Sequence, residues 1–241
     1  MANSKPKNLY LQGLRDGLPI CLGYISVSIA FGMAAVSYGF TVWQALLISL
    51  SCVTSAGQFN GITLIAAGAG YIEIALTQLI INIRYSLMSL TLSQKVDGRF
   101  RLIDRFIVSF VDTDEVFAVA SSKQGELSNK YMYGLITTPY FGWALGTFLG
   151  ATLSAFLPED IRQALGVAIY GMFIAIVVPP AKKQRSVLIV VAIAVALSCI
   201  FRYVPYVNGV SSGFAIIICA VAASVLGALF FPVKEAEKLE Q

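Results

Sequence analysis

Long apolar runs constrain the fold of this chain more than any other feature. A helix needs about 20 apolar residues to cross the roughly 30 Å hydrocarbon core of a bilayer. The chain is 57% hydrophobic and only 12% charged, about half of the charged share that is usual in soluble domains. We therefore predict an all-α polytopic membrane protein that forms a single integral membrane domain over residues 1–241. The six clearest predicted spans lie at about 18–38, 73–93, 131–157, 163–180, 186–204 and 211–231.

The absence of histidine narrows the range of chemistry that this chain can perform. The chain contains no histidine, which excludes histidine-dependent catalysis, histidine metal sites and histidine proton relays. The four cysteines all fall inside apolar segments without paired spacing, a pattern that favours small buried hydrophobes over metal ligands. We predict a protein that is not an enzyme and that needs no cofactor or metal, so any proton chemistry would depend on carboxylates.

Two further segments do not fit a simple span. Residues 42–70 are too many for one comfortable span and too few for two, and the polar run Ser55–Gln58 interrupts them. Residues 104–121 carry three carboxylates at their centre, Asp112, Asp114 and Glu115. Charge at bilayer depth is costly and usually functional. We expect both segments to contain discontinuous helices.

The loop charges predict how these two segments run. Basic residues are enriched in cytoplasmic loops, and here they cluster in four places. All four become cytoplasmic only if each unusual segment enters and leaves on the same side. We therefore predict six transmembrane helices plus two re-entrant hairpins, with a cytoplasmic N-terminus (residues 1–15) and a cytoplasmic tail (residues 232–241). The basic residues are Lys5, Lys7, Arg15, Lys95, Arg99, Arg101, Arg105, Lys182, Lys183, Arg185, Lys234 and Lys238.

Local sequence supports helix starts inside both segments. Ser55 with Gln58, and Asp112 with Glu115, each fit the spacing of a capping box, and an apolar run follows each pair. Discontinuous helices of this kind form the binding sites of secondary transporters. The N-terminus of a helix carries partial positive charge and free N–H groups, which suit a carboxylate.

One arginine lies near the middle of a predicted span. Arg84 cannot easily reach the membrane surface, so an internal partner is expected. Either it forms a structural ion pair with Asp114 or Glu115, or it also binds a substrate carboxylate or exchanges partners during transport. The predicted substrate-binding residues are Arg84, Gln58, Asn60, Ser55 and Asn82.

The acidic cluster is the predicted site of proton coupling. A carboxylate whose surroundings alternate can load and release protons. A helix cap would account for Asp112, and Glu115 would close the capping box, so Asp114 is the member without a structural role. The alternative is that all three are structural. The predicted proton-coupling residues are Asp114, Glu115 and Asp112.

Three glycines on one predicted helix have the spacing of close helix packing. Gly142, Gly146 and Gly150 form two successive Gly-x-x-x-Gly steps, and small residues at this spacing let helix backbones approach each other. We predict a packing role for them rather than a ligand contact.

The N-terminal half contains four motifs: Gly17–Ile20 with Ala30–Gly32, Ala56–Phe59, Asn82–Tyr85 and Thr113–Ala118. In this order they resemble the AzlC family, the large subunit of branched-chain amino acid exporters. Beyond them the resemblance is limited to hydropathy and length. This chain also has Thr54 and Ser55 where many family members have an Ala-Gly-Ala-type run.

The resemblance implies a two-subunit transporter of the bacterial cytoplasmic membrane. It would pair with a small AzlD-like membrane subunit and export valine, leucine, isoleucine or methionine, driven by the proton gradient. Two alternatives remain open from the residues: the permease subunit of an ATP-driven transporter, which needs a cytoplasmic loop to contact an ATPase, and a passive amino acid channel. No nucleic acid partner is expected.

Overall fold

The computed structural model describes residues 8–154, 156, 158, 160, 174, 177–207 and 209–231. These residues are predominantly helical, as predicted. One helical stretch comprises residues 177–183. The remaining helices are α1 (Leu9–Ser37), α2 (Val42–Ser51), α3 (Ser55–Ala66), α4 (Tyr71–Ser93), α5 (Leu102–Phe110), α6 (Asp114–Ser122), α7 (Asn129–Leu153), α8 (Arg185–Tyr203) and α9 (Ser212–Phe230).

Three of the described helices, α1, α8 and α9, are both long and apolar enough to cross a membrane. The helices α4 and α7 have 23 and 25 residues, enough for about 35 Å at 1.5 Å per residue, but they are more polar. The predicted span at 163–180 and the predicted tail at 232–241 fall mostly or wholly outside the described residues. The count of six spans, like the side on which each terminus lies, therefore stays a prediction.

The chain separates into two compact units. The first comprises residues 1–63 and 81–169, and the second comprises residues 64–80 and 170–241. The helix α4 contributes its first part to the second unit and the rest to the first. Each unit is described by itself below.

The first unit is built around the pairing of α1 with α7. Glycines line this interface on both helices, and the backbones approach so closely that a β-carbon has no room. A β-carbon on Gly134 would lie 2.1 Å from the carbonyl oxygen of Tyr10, and one on Gly150 would lie 2.0 Å from that of Ile29. Apolar side chains cannot drive helices together in lipid, so close backbone contact of this kind supplies the dispersion energy that holds the pair.

Both unusual segments are interrupted helices. The segment 42–70 contains α2 and α3, which are separated at residues 52–54, and the segment 104–121 contains α5 and α6, which are separated at residues 111–113. Each half-helix has 9–12 residues, or about 14–18 Å, roughly half of a bilayer core. Whether they are re-entrant or spanning stays a prediction.

The second unit contains the start of α4 and the pair α8 and α9. The buried Glu73 of α4 binds the start of α9: its Oε1 accepts hydrogen bonds from Ser211 Oγ at 2.6 Å and from the Gly213 N–H at 2.9 Å. A carboxylate at this position satisfies N–H groups that the helix leaves unpaired and complements its positive end. Glu73 therefore links two elements of this unit.

Candidate functional site

The two helix interruptions both belong to the first unit, and both are buried. Val53 and Thr54 at the first interruption are 9% and 8% exposed, and Val111, Asp112 and Thr113 at the second are 2–5% exposed. Buried backbone that leaves a helix must find other hydrogen-bond partners. The side chains that supply these partners define the candidate site.

A threonine caps the helix that follows each interruption, so the predicted caps are wrong by one residue. Thr113 is the N-cap of α6, where its Oγ1 accepts from the Val116 N–H at 3.4 Å. Thr54 directly precedes α3, and its Oγ1 accepts from the Gly57 N–H at 3.4 Å. Neither Ser55 nor Asp112 is the cap that the sequence spacing predicted.

Gln58 does not close a capping box but supports the end of α2. Its Nε2 donates to the carbonyl oxygens of Ile48 and Ser49, at 3.4 Å each, and to that of Cys52. Its Oε1 accepts from Trp143 Nε1 on α7 at 3.0 Å. The side chain is 1% exposed. Gln58 thus satisfies carbonyls that the C-terminus of α2 would otherwise leave unpaired.

The second interruption is held in a similar way from α1. The Tyr24 hydroxyl contacts both Thr113 Oγ1, at 2.6 Å, and Glu115 Oε2. Glu115 therefore has a specific partner on another helix, instead of folding back to the start of its own helix. Tyr24 itself is 8% exposed.

An aromatic contact connects the two interruptions. The rings of Tyr24 and Trp143 meet edge to face, with centroids 5.0 Å apart and an angle of 79° between their planes. Tyr24 binds the second interruption and Trp143 binds Gln58 beside the first. The pair α1–α7 therefore carries one continuous chain of contacts from Glu115 to the end of α2.

Arg84 forms the predicted ion pair with Asp114. The distance from Arg84 Nη1 to Asp114 Oδ2 is 2.7 Å, and that to Oδ1 is 2.8 Å. Arg84 Nη2 also donates to the Tyr85 hydroxyl at 3.1 Å, and the guanidinium lies 4.9 Å from the centroid of that ring. The paired side chains are 50% and 46% exposed, so a ligand can reach the ion pair within this unit.

Asp112 is the most deeply buried member of the acidic cluster. It is 2% exposed, and its Oδ2 accepts from Ser89 Oγ of α4 at 3.2 Å. Its Oδ1 has no hydrogen-bond partner among the described residues. Since the cap of α6 is Thr113, the structural role that the sequence assigned to Asp112 is absent.

The structure places the remaining predicted residues as follows. Ser55 and Asn60 are half-buried on α3, next to the first interruption, and Asn82 is half-buried on α4, half a turn before Arg84. The three predicted packing glycines all face α1: β-carbons on them would lie 2.0–2.5 Å from atoms of α1. Those nearest atoms are Cys21 Sγ for Gly142, Ser28 Oγ for Gly146 and the Ile29 carbonyl oxygen for Gly150.

Sequence reasoning missed Tyr24, Trp143, Thr113 and Ser89 as parts of the site. Their partners are 23–91 positions away in the chain, so no local pattern indicates the contacts. One local signal was available for Thr113 and Thr54, because threonine is a favoured N-cap and each residue directly precedes the helix that it caps.

The arrangement has the chemistry to bind a zwitterion and to carry a proton. The ion pair offers a guanidinium to a carboxylate and a carboxylate to an ammonium group. Two further carboxylates lie at the second interruption, Asp112 within it and buried, and Glu115 two residues after it and exposed. The class that fold and site define is an all-α integral membrane protein with two discontinuous helices at a charged site.

Comparison with known proteins identifies the family. The family model described as "AzlC protein" matches residues 19–157, more than half of the chain and all of the candidate site. The chain belongs to the AzlC family.

Proteins from three other organisms are similar over most of their length. The chain is 28% identical over 196 residues to "Inner membrane protein YgaZ" of Escherichia coli, covering 78% of this chain and 80% of that protein. It is 32% identical over 193 residues to an "Uncharacterized membrane protein" of Archaeoglobus fulgidus, covering 79% and 84%. A Helicobacter pylori membrane protein is 24% identical over 185 residues, covering 73% and 79%. No solved structure matches the chain significantly.

Proposed function

We propose that this chain is the permease subunit of an exporter for branched-chain or similar apolar amino acids in the bacterial cytoplasmic membrane. It works by proton antiport, together with a small AzlD-like membrane subunit. The observation that carries the proposal is the ion pair of Arg84 and Asp114, which joins the middle of α4 to the first turn of a helix that begins at an interruption.

The ion pair is complementary to the head group of an amino acid. The substrate carboxylate binds Arg84 and its ammonium group binds Asp114, so that the zwitterion replaces the internal ion pair with two external ones. An exchange of this kind leaves no charge unpaired at bilayer depth, where an unpaired charge is costly. The apolar side chain of the substrate then needs only an apolar pocket, which fits the small apolar amino acids.

The polar residues at the first interruption complete the proposed binding site. Ser55 and Asn60 on α3, with Asn82 on α4, offer neutral hydrogen bonds to the substrate head group. Gln58 contributes indirectly, since its amide holds the end of α2 and its exposed fraction is 1%. One carboxylate of the acidic cluster, Asp112, Asp114 or Glu115, supplies the proton-exchange chemistry.

Export from dipeptide-fed cells tests this proposal. Cells that express both the chain and the neighbouring small membrane subunit release the amino acid that is liberated from the dipeptide. Cells that lack one of the two subunits retain it. Arg84→Ala and Asp114→Asn each abolish export while the protein still inserts into the membrane. Arg99→Ala and Glu126→Gln, which change exposed residues of the same charge types, leave export intact as matched controls.

Each competing function predicts a different result. Wild-type export from Asp114→Asn cells would contradict the proposed site. Export that survives an uncoupler but needs ATP would identify an ATP-driven permease. Release that never exceeds the equilibrium ratio of inside to outside concentration would identify a passive channel.

A further inference from the structure

A small cavity lies beside the second interruption, between the C-terminal part of α4 and α5. Its volume is about 50 Å³, enough for about three water molecules at the 10–15 Å³ that each requires on this measure. Its polar lining comes from Ser89 and Ser93 of α4, from Arg105 and Ser109 of α5, and from Asp112. It therefore extends from the buried carboxylate to Arg105 in the first half of α5.

The unpartnered oxygen of Asp112 indicates what the cavity holds. The side chain is 2% exposed, its Oδ2 is bound by Ser89, and its Oδ1 has no partner among the described residues. A buried carboxylate oxygen without a donor destabilises the protein if the group stays charged. A proton on that oxygen, or water in the cavity, removes the cost.

The other two members of the cluster are already committed. Asp114 is paired with Arg84 at 2.7 Å, and Glu115 accepts from Tyr24. Asp112 is the member that keeps a buried oxygen without a partner among the described residues, and Thr113 performs the capping that would otherwise have occupied it.

The charged neighbours of Asp112 come from three elements. Arg105 of α5 lines the same cavity, Asp114 lies two residues away in the first turn of α6, and Arg84 of α4 neutralises Asp114. The nearest carboxylate, that of Asp114, is thus paired with Arg84. The exposed guanidinium of Arg105 lines the cavity. This setting supports both forms of Asp112, the ionised form through the hydrogen bond from Ser89 and the protonated form through burial.

We propose that Asp112 is the proton-exchange residue of this transporter and that the cavity is its water route to the end of the molecule bearing Arg99, Arg101 and Arg105. This proposal rests on the proposed function. A proton passes between a water molecule in the cavity and Oδ1 of Asp112, forming or breaking one O–H bond. The Arg84–Asp114 pair remains free to exchange partners with the substrate, so proton and substrate use different carboxylates.

The test separates proton coupling from substrate binding in proteoliposomes that contain the full-length chain and its small subunit. One assay measures exchange of labelled for unlabelled leucine at equal pH on both sides. The other measures leucine accumulation driven by a pH gradient. The wild-type protein performs both. Asp112→Asn keeps exchange and loses accumulation, Asp112→Glu keeps both, and Asp114→Asn loses both.

Failure of this inference differs from failure of the proposed function. Accumulation driven by the pH gradient in Asp112→Asn would overturn the assignment of Asp112, as would a wild-type protein driven by a sodium gradient instead. A wild-type protein that exchanges no apolar amino acid would overturn the proposed function itself. If Asp112→Asn does not insert, Asp112→Ser takes its place: retained exchange with loss of leucine-induced proton flux gives the same evidence, and unchanged flux counts against the assignment.

Cysteine labelling tests the route. In a variant without the four native cysteines, Ser93→Cys introduces a thiol into the cavity lining. A membrane-impermeant thiol reagent labels it from the same side as Arg99→Cys and blocks accumulation more than exchange. Labelling of Ser93→Cys from the opposite side only would contradict the proposed route.

Discussion

The indole Nε1 of Trp143 donates a hydrogen bond to Oε1 of Gln58 across 3.0 Å. Through this bond α7 orients the side-chain amide of Gln58. The Nε2 group of the same amide donates to the C-terminal carbonyls of α2. The same indole packs against Tyr24, whose hydroxyl binds the second interruption. One aromatic residue therefore contributes to holding both interrupted helices.

Trp143→Phe tests the support of the first interruption. The substitution keeps an aromatic ring against Tyr24 but leaves Oε1 of Gln58 buried without a donor, at a cost of about 1–3 kcal/mol. We expect a lower thermal unfolding temperature of the purified protein and reduced transport. The matched control is Trp43→Phe, since Trp43 is 69% exposed on α2. Equal stability of the two variants would contradict this role.

Tyr24→Phe tests the support of the second interruption. It removes the hydroxyl that binds Thr113 and Glu115 but keeps the ring contact with Trp143. Because the buried Thr113 hydroxyl loses its partner and Glu115 loses a donor, we expect a loss of about 1–3 kcal/mol in thermal unfolding and reduced transport. Tyr38→Phe at the exposed end of α1 is the control. If Tyr24→Phe is as stable as Tyr38→Phe, the second interruption does not depend on this hydroxyl.

Gly150→Ala tests the helix pairing. Its β-carbon would lie 2.0 Å from the backbone oxygen of Ile29, and a backbone atom cannot rotate away. The helices must separate, so we expect destabilisation of about 1–3 kcal/mol in thermal unfolding. Gly23→Ala is the matched control on α1, where a β-carbon meets no atom within 4 Å. Similar unfolding temperatures for both variants would exclude close packing at Gly150.

Glu73→Ala tests the link inside the second unit. The substitution removes the acceptor of Ser211 Oγ and of the Gly213 N–H, and loss of an N-terminal cap typically costs about 0.5–2 kcal/mol. Glu73→Gln keeps an oxygen acceptor and should cost less. Thermal unfolding of both variants, with Glu126→Ala as an exposed control, measures the difference. A larger loss of stability in Glu73→Gln than in Glu73→Ala would contradict the capping role.

Arg99→Cys tests the predicted membrane orientation. The positive-inside rule places the loop at 94–105 in the cytoplasm. We therefore expect an impermeant thiol reagent to label this cysteine in inverted vesicles and not in intact cells, in a variant without native cysteines. With a cytoplasmic N-terminus, labelling in intact cells would mean that the segment 42–70 crosses the membrane, because the segment 104–121 follows this loop.

The positions of both interruptions could be predicted from sequence, because helices of a membrane protein must satisfy their backbone internally. A polar or acidic run inside an apolar segment of unusual length is therefore informative by itself. The pairing of Arg84 with either Asp114 or Glu115 followed from the same reasoning, since a charge at bilayer depth needs a partner. These predictions depend on local composition and on the free-energy cost of placing polar groups in hydrocarbon.

The assignment of roles within the acidic cluster could not be predicted. A shift of one residue in the helix start moves the cap from Asp112 to Thr113, and the spacing of a capping box does not distinguish the two. The contacts that fix the start come from Tyr24 on α1 and Ser89 on α4, which bind Thr113 and Asp112.

By itself, the sequence determined the all-α membrane class, the two interrupted segments and the need for a partner to Arg84, because each follows from the cost of placing polar groups in hydrocarbon. Only the tertiary structure decided which carboxylate is paired, which is bound by tyrosine and which keeps an open oxygen. That division depends on side chains far apart in the chain, which the close packing of α1 with α7 and the position of α4 bring to the interruptions.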